Sequence, residues 1–151
     1  PLHDIGKIAI PDAVLQKQGK YTPQEYTLMR RHAELGRRIL AKTLAPLEDF
    51  KYYKVASDMA AYHHERWDGN GYPQGLKGEA IPLPARIMAL ADVFDSLVAH
   101  RSFHPTHTVD QAYVIIKAGA GTQFDPVLTA AFIMARPQIE KCVQENVYQM
   151  K

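Results

Sequence analysis

Two pairs of adjacent side chains in this sequence have the types that bind metal ions. His3-Asp4 opens the segment HDIGK, and His63-His64 opens the segment HHERWDGNGYP, whose glycines and proline must end any preceding helix. Neutral imidazole and carboxylate groups are ligands of iron, manganese, nickel, cobalt and zinc ions in proteins. The two pairs therefore predict metal-ion chemistry if the fold brings them together.

Two further side chains of these types lie in apolar stretches. His32 falls on the apolar face of a predicted helix, and Asp92 lies within the apolar run IMALADVFDSLVA. Considered singly, His32 is more often a hydrogen-bonded core histidine than a ligand, and Asp92 could form an ion pair with Arg86. The adjacent histidines could lie on the surface. A buried polar group is costly without a partner, however, and one explanation covers them all, namely that they surround metal ions.

The predicted ligand set is His3, Asp4, His32, His63, His64 and Asp92. Six ligands exceed what one catalytic ion with an open coordination position needs, and they suit two ions that share one carboxylate. Two ions about 3.5–4 Å apart hold the attacking oxygen and stabilise the leaving oxygen in a displacement at phosphorus. Lys7 would share a helix face with His3 and Asp4, where it could contact a phosphate. Without those two neighbours, a lysine at this position would be interpreted as solvated.

Composition limits the class of protein. The chain has 151 residues, the size of one domain, and 46% of them are hydrophobic, which is enough for a core. The net charge of +2 gives no argument for binding long nucleic acid. The single cysteine, Cys142, excludes an internal disulfide and fits a reducing compartment, so we expect a cytoplasmic protein with no membrane segment. The start at Pro1, directly before the His-Asp pair, indicates an excerpt from a longer protein.

The elements that must position these side chains are predicted to be helices joined by short loops. Thr22, Thr108 and Asp125 stand where helix N-caps are expected. Glycine and proline mark residues 11–23 and 67–77 as turns and loops. The predicted helices cover about residues 23–45, 48–64, 83–99 and 108–118, with two more beginning near residues 126 and 137. Because sustained alternation of polar and apolar residues is missing, the predicted fold class is all-α.

The segment HDIGK together with residues 63–97, HHERWDGNGYPQGLKGEAIPLPARIMALADVFDSL, resembles the HD-GYP family, a bacterial branch of the HD phosphohydrolase superfamily. A His-Asp pair alone is a weak signal, whereas HDxGK followed by HHExxDGxGYP and ADVFD is very specific. The similarity implies an HD-GYP domain over residues 1–135, whose first helix precedes residue 1, and a C-terminal helix over residues 136–151. The implied fold is a compact multi-helix HD-superfamily bundle around a centre of two or three metal ions.

The resemblance also implies roles for individual residues. All six members of the predicted ligand set match metal ligands of the family. Asp4 matches the bridging ligand, His3 and Asp92 match the ligands of one ion, and the other three histidines complete the second ion. Asp4 and Lys7 are implied to be catalytic. The residues implied to bind substrate are Lys7, Gly71, Tyr72, Pro73, Arg101 and His104.

The activity implied by the resemblance is metal-dependent hydrolysis of cyclic di-GMP to pGpG, GMP or both. The implied cofactors are two or three divalent ions, iron or manganese first, with nickel, cobalt or zinc as alternatives. The implied partners are cyclic di-GMP, GGDEF-domain proteins that synthesise it, and an upstream sensor or receiver domain in the full-length chain.

The sequence departs from the family pattern at two positions, and the first of them motivates an alternative function. His104 stands where the family commonly has lysine, and Gln123 stands where it commonly has histidine. A neutral imidazole is a poorer partner for phosphate than a lysine is. The alternative is a catalytically weak module that binds cyclic di-GMP or a diguanylate cyclase. A third hypothesis keeps the metals but assigns cleavage of another phosphoester or an oxidation. The loop that contains Gly71, Tyr72 and Pro73, called the GYP loop, disfavours this hypothesis.

Four side chains in the segment HHERWDGNGYP have two explanations each. Glu65 and Asp68 are candidate acceptors for imidazole N–H groups or plain surface acids. Trp67 and Tyr72 could stack on guanine or anchor the loop by packing.

Overall fold

The computed structural model describes residues 2–44, 52–98 and 107–149, the last six of these by their backbone alone. These residues form helices and no β-strand, which confirms the all-α prediction. Two short segments are 3₁₀ helices, Leu2–Ala9 and Gly78–Ala80. The α-helices are α1 (Asp12–Leu15), α2 (Pro23–Arg30), α3 (His32–Leu44), α4 (Tyr53–Tyr62), α5 (Leu83–Val98), α6 (Val109–Ala118), α7 (Pro126–Met134) and α8 (Arg136–Gln149).

The single helix predicted over residues 23–45 is two helices, so that prediction is wrong. The Arg31 amide donates to the Leu28 carbonyl at 3.1 Å, and this i→i−3 bond tightens the turn and ends α2. α3 then begins at His32, which places this side chain at a helix start. Glycine and proline are missing at the break, so the sequence does not announce it. The helix predicted over residues 48–64 is α4, and its predicted start lies outside the described residues.

Residues 11–23 were expected to form turns, and the structure adds a short helix there. The Pro11 carbonyl accepts bonds from the Val14 and Leu15 amides at 2.9 and 3.0 Å, so the proline begins the helical turn of α1. Proline suits this position because its fixed φ matches the entry to a helix.

Three predicted helix starts are confirmed. Thr22 and Thr108 each accept a bond from the backbone amide three residues on, and each forms a reciprocal capping box, with Glu25 and Gln111 respectively. Asp125 caps α7 by accepting bonds from two amides of its first turn. Local sequence signals therefore locate these three helix starts.

The chain divides into two compact units, Pro1–Ala89 and Leu90–Lys151. In the first unit, the N-terminal 3₁₀ helix and α4 both pack against α3. Small residues permit this close packing, because Ala33 and Ala60 are fully buried and a side chain at Gly6 would collide with the carbonyl oxygen of His32. The segment that carries the His-Asp pair therefore lies directly against the start of α3.

The second unit has a core of large apolar side chains. Leu90, Phe94, Tyr113, Ile116 and Phe124 are buried together. The ring of Phe94 packs at 5.3 Å between centroids against Tyr113, an ordinary separation for aromatic pairs. The predicted domain boundary between residues 135 and 136 stays a prediction.

Across the described parts of the chain, every helix is too short or too polar to cross a lipid bilayer.

Candidate metal centre

The His-Asp pair lies on the N-terminal 3₁₀ helix. Residues i and i+3 are aligned in such a helix, and the Nζ atom of Lys7 accordingly lies 2.6 Å from Oδ2 of Asp4. The Nε2 atom of His3 lies 3.5 Å from the same carboxylate oxygen. His3 is buried, whereas Asp4 and Lys7 are partly exposed. Asp4 thus presents one oxygen to a cationic side chain and an imidazole.

His32 and His63 each stand next to the end of a helix and bond to its last turn. The Nδ1–H of His32 donates to the Met29 carbonyl at 2.7 Å. The Nδ1–H of His63 donates to the carbonyls of Met59 and Ala60 at 2.9 and 3.2 Å. A backbone carbonyl has two lone pairs, so these helix-end carbonyls can accept the imidazole bond in addition to any backbone bond. Because a carbonyl can only accept, each Nδ1 carries the proton and each Nε2 keeps its lone pair.

Burial keeps these imidazoles uncharged at neutral pH. It lowers the pKa of His63 to about 4 and that of His64 to about 3, and the neighbouring histidines contribute to both shifts. Burial also lowers the pKa of His32. Burial of Asp4 acts to raise its pKa, but the hydrogen bond and charge of Lys7 hold that pKa below its ordinary value. At neutral pH the site therefore contains neutral imidazoles and an ionised carboxylate.

The proton-free donor atoms face one another. The Nε2 atoms of His32 and His63 lie 3.4 Å apart, and Oδ1 of Asp4 lies 3.5 Å from the first and 3.8 Å from the second. The ligand nitrogen atoms of His32, His63 and His64 all lie within 4.8 Å of one another. Lone pairs that point at lone pairs repel unless a cation lies among them.

A divalent cation fits this donor set. Bonds of about 2.0–2.2 Å to nitrogen and oxygen place two ligands of one ion about 3–4 Å apart. The separations among Asp4, His32 and His63 fall in that range. These three side chains and His64 would hold one ion. The second oxygen of Asp4 faces His3, an arrangement that suits a carboxylate shared between two ions.

The described contacts do not test three of the predicted site residues. Asp92 lies on α5 and is partly buried, but it belongs to the second unit, so its role as a ligand stays a prediction. Arg101 and His104, predicted to bind substrate, lie outside the described residues.

Glu65 holds the loop that follows the histidine pair. Its carboxylate is buried and accepts bonds from the amides of Gln74 at 2.7 Å and Leu76 at 3.0 Å. Asp68 accepts a bond from the Asn70 amide at 2.9 Å. The predicted bonds from imidazole N–H groups to these two acids stay a prediction, whereas the alternative that Glu65 is a plain surface acid is wrong, since Glu65 is 3% exposed. Backbone carbonyls accept the described N–H bonds of His32 and His63, whereas Glu65 accepts from two loop amides and Asp68 accepts from the Asn70 amide and the Arg66 guanidinium.

The GYP loop reaches the histidine cluster through Tyr72. The Tyr72 ring stacks on the His64 ring with centroids 4.7 Å apart and an interplanar angle of 23°. Gly71 lies so close to the preceding chain that a side chain there would collide with backbone atoms of Glu65 and Arg66. The peptide bond between Tyr72 and Pro73 is cis. The predicted substrate roles of these loop residues stay predictions, but their position beside the cluster is compatible with them.

Arg30 is a neighbour of the loop that the sequence motifs do not include. Its guanidinium carbon lies 4.6 Å from the ring centre of Tyr26 and 4.5 Å from that of Tyr72. Its Nε is buried and, among the described residues, has no hydrogen-bond partner. Arg30 and Arg31 both precede His32 in the sequence, and nothing local distinguishes them. Only the contact with Tyr72, far away along the chain, singles out Arg30.

Comparison with known proteins identifies the class. Residues 1–128 match the family model described as HD domain, so the chain belongs to the HD domain family. It is 47% identical over 133 residues to a cyclic di-GMP phosphodiesterase of Vibrio cholerae serotype O1. The aligned residues cover 88% of this chain and 27% of the relative. Together with its motifs, such relatives place it in the HD-GYP branch, as the resemblance predicted.

Two other relatives show the range of the family. The cyclic di-GMP phosphodiesterase response regulator RpfG of Xanthomonas campestris is 46% identical over 141 residues, 93% of this chain and 36% of the relative. The crystal structure of a cyclic GMP-AMP-specific phosphodiesterase of Vibrio cholerae matches with a TM-score of 0.59 at 25% identity, over 95% of this chain and 36% of that one. The chain therefore spans about a quarter to a third of the length of these relatives.

Proposed function

We propose that this chain is the catalytic domain of a metal-dependent phosphodiesterase that hydrolyses cyclic di-GMP to pGpG, GMP or both. The observation that carries the proposal is the convergence of one carboxylate oxygen of Asp4 with the Nε2 atoms of His32 and His63, at separations of 3.4 to 3.8 Å. The names of the relatives support this substrate class, since several are cyclic di-GMP phosphodiesterases.

The side chains of this chain hold and orient the reacting groups. Asp4 and the histidines would bind the divalent ions, which when bound supply an activated water and offset the negative charge that develops at phosphorus. Lys7 is partly exposed beside Asp4, so its ammonium group is placed to donate to a phosphate oxygen next to the ions. Tyr72 stacks on His64, so the GYP loop lies beside these ligands.

We assign two ions, iron or manganese, to this centre, with a third ion as an option for the full-length protein. The donors are imidazole and carboxylate, and the one cysteine of the chain is exposed on α8. This ligand type suits iron and manganese, and also nickel, cobalt and zinc. Elemental analysis of anaerobically purified protein, with turnover measured on the same sample, determines the metal and its stoichiometry.

The proposal includes a setting for the reaction. It places the chain in the cytoplasm, because a chain with a single cysteine needs no oxidising compartment. It also includes an upstream sensor or receiver domain and contact with GGDEF-domain proteins, which would link synthesis of the messenger to its removal.

Replacement of Asp4 tests the proposal most directly. Asp4→Ala removes the carboxylate that faces His3 on one side and His32 and His63 on the other, so turnover and bound metal should be lost together. Asp12→Ala removes an exposed acid on α1 and serves as the control, with metal content and rate retained. Normal metal content and rate in the Asp4→Ala protein would refute the assignment.

Chromatography of the products from cyclic di-GMP and 3′3′-cGAMP identifies the substrate. Cleavage of 3′3′-cGAMP alone would show that cyclic di-GMP is not the substrate.

A further inference from the structure

Arg30 carries a positive charge that the metal centre does not use. Among the described residues, no carboxylate pairs with it, and its contacts are the rings of Tyr26 and Tyr72. By contrast, Arg37 and Arg38 on α3 both bond to Glu34. Aromatic rings attract a guanidinium by their quadrupoles but leave the hydrogen-bond donors at its edge free.

The free donors of Arg30 lie at the end of the side chain. Its Nε is buried, whereas the two terminal amino groups are not among the buried atoms that lack a partner. A guanidinium end is a planar fork that donates two parallel bonds to a matching pair of acceptors. Two phosphate oxygens form such a pair, and so do O6 and N7 of guanine.

The position of this fork relates it to the metal centre. Tyr72 contacts the Arg30 guanidinium and also stacks on the imidazole of His64, at 4.5 and 4.7 Å between the respective centres. One tyrosine ring therefore separates the fork from a predicted metal ligand. A cyclic dinucleotide whose one phosphodiester lies at the metal ions carries its second phosphodiester and its bases outside them, within reach of groups at that distance.

We propose that Arg30 is a substrate-binding residue whose guanidinium end binds a pair of acceptors on the cyclic dinucleotide outside the metal centre. The pair is either the second phosphodiester or the O6 and N7 edge of guanine, which share the same acceptor chemistry. This inference rests on the proposed function. The two tyrosine rings hold the guanidinium in place before substrate arrives, so little side-chain freedom is lost on binding.

The test uses the metal-loaded full-length protein and two substitutions at this position. Arg30→Met keeps an apolar stem between the tyrosines and removes the charge and the fork, whereas Arg30→Lys keeps the charge alone. We expect Arg30→Met to lower kcat/KM for cyclic di-GMP by about 10- to 100-fold, mainly through KM, because a hydrogen bond to a charged group is lost. Arg30→Lys should recover only part of this loss. Arg31→Met, the same change at an exposed neighbour, should leave kcat/KM unchanged.

A purely structural role for Arg30 predicts a different pattern. Metal content and hydrolysis of bis(p-nitrophenyl) phosphate, a small diester that cannot span the two places, should stay at wild-type levels in Arg30→Met. An equal loss with this small diester, or an unchanged kcat/KM for cyclic di-GMP, would overturn the inference.

A panel of cyclic di-GMP, 3′3′-cGAMP and cyclic di-AMP distinguishes the two acceptor pairs. An equal loss with all three identifies the phosphodiester, and a loss confined to the guanine-containing substrates identifies the guanine edge. If the wild-type protein cleaves none of them, the proposed function fails, and equilibrium binding of cyclic di-GMP to wild type and Arg30→Met then decides the role of Arg30. Equal affinities in that measurement would refute it.

Discussion

The buried positions of the first unit include two imidazoles next to small residues, whereas the main buried cluster of the second unit consists mostly of large apolar side chains. His32 and His63 are each only 2% exposed, and Ala33 and Ala60 beside them are fully buried. In the second unit, Phe94 and Ile116 are 5% and 0% exposed. The same degree of burial is thus reached with polar rings in one unit and with hydrocarbon in the other.

This difference indicates that the apolar core of the second unit contributes mainly to stability, whereas the buried imidazoles of the first unit serve metal binding. Each fully buried large apolar side chain of the second unit contributes about 1.5–3 kcal/mol relative to exposure. The buried imidazoles of the first unit gain their hydrogen bonds from backbone carbonyls but leave proton-free nitrogens facing one another, which is unfavourable for the protein alone. The first unit therefore accepts a stability cost at the place where it would bind ions.

The largest expected effect is the loss of activity when a ligand of the first unit is removed. His63→Ala should lower turnover by about a thousandfold or more, because the ions contribute several kcal/mol to the barrier. Bound metal should fall with it, as measured by elemental analysis. The unfolding free energy of the metal-free protein should change by less than about 2 kcal/mol, since a hydrogen-bonded but electrostatically repelled ring is removed.

The exposed His107 provides the control for that change. His107→Ala should keep both metal and activity. Full metal content in the His63→Ala protein would contradict the assignment of metal binding to the buried imidazoles of the first unit.

A smaller effect, on stability alone, is expected from the second unit. Phe94→Ala removes a ring that packs against Tyr113 and Phe132, and should lower the unfolding free energy by about 3–5 kcal/mol in urea titrations. Metal bound per folded chain should not change. Phe94→Leu keeps most of the volume and should cost much less. Loss of metal from folded Phe94→Ala protein would show that the core of the second unit also affects metal binding.

The smallest expected effect is a pH dependence on the surface of α3. The hydrogen bonds to Arg37, followed by those to Arg38, lower the pKa of Glu34 to about 2 from its ordinary 4.5. The folded state therefore holds this proton less tightly than the unfolded state does. The stabilisation is complete above pH 4.5 and is lost as the pH falls towards 2, and the exposed setting limits it to about 1 kcal/mol or less.

Glu34→Gln tests this by removing the titrating group. Between pH 4.5 and 2, the unfolding free energy of the variant should fall less steeply than that of the wild-type protein. Glu79→Gln, at an exposed glutamate, is the control and should follow the wild-type curve. Parallel curves for Glu34→Gln and wild type would contradict the expectation.

Local signals in the sequence predicted much of the fold. Thr22, Thr108 and Asp125 cap helices because a short polar side chain needs only its next two or three amides to do so. The break at Arg31 was not predictable in this way, since it depends on one i→i−3 bond with no glycine or proline to indicate it.

For the candidate site, the residue types were predictable and most partners were not. The spacing of His3, Asp4 and the histidine pair indicated metal chemistry, and the described members of that set come together in the first unit. The described donors to Glu65 are loop amides nine and eleven residues further on, and nothing in the sequence indicated them. The position of Arg30 depends on stacking with a tyrosine of another segment, which no spacing rule reports.

The bonds from the Nδ1–H groups of His32 and His63 to helix-end carbonyls are made by the protein's own backbone. They orient the ligand nitrogens before any ion binds, so these side chains need not rearrange in order to bind metal. Under the proposed function, hydrolysis would therefore depend on the supply of divalent metal ions in the cell.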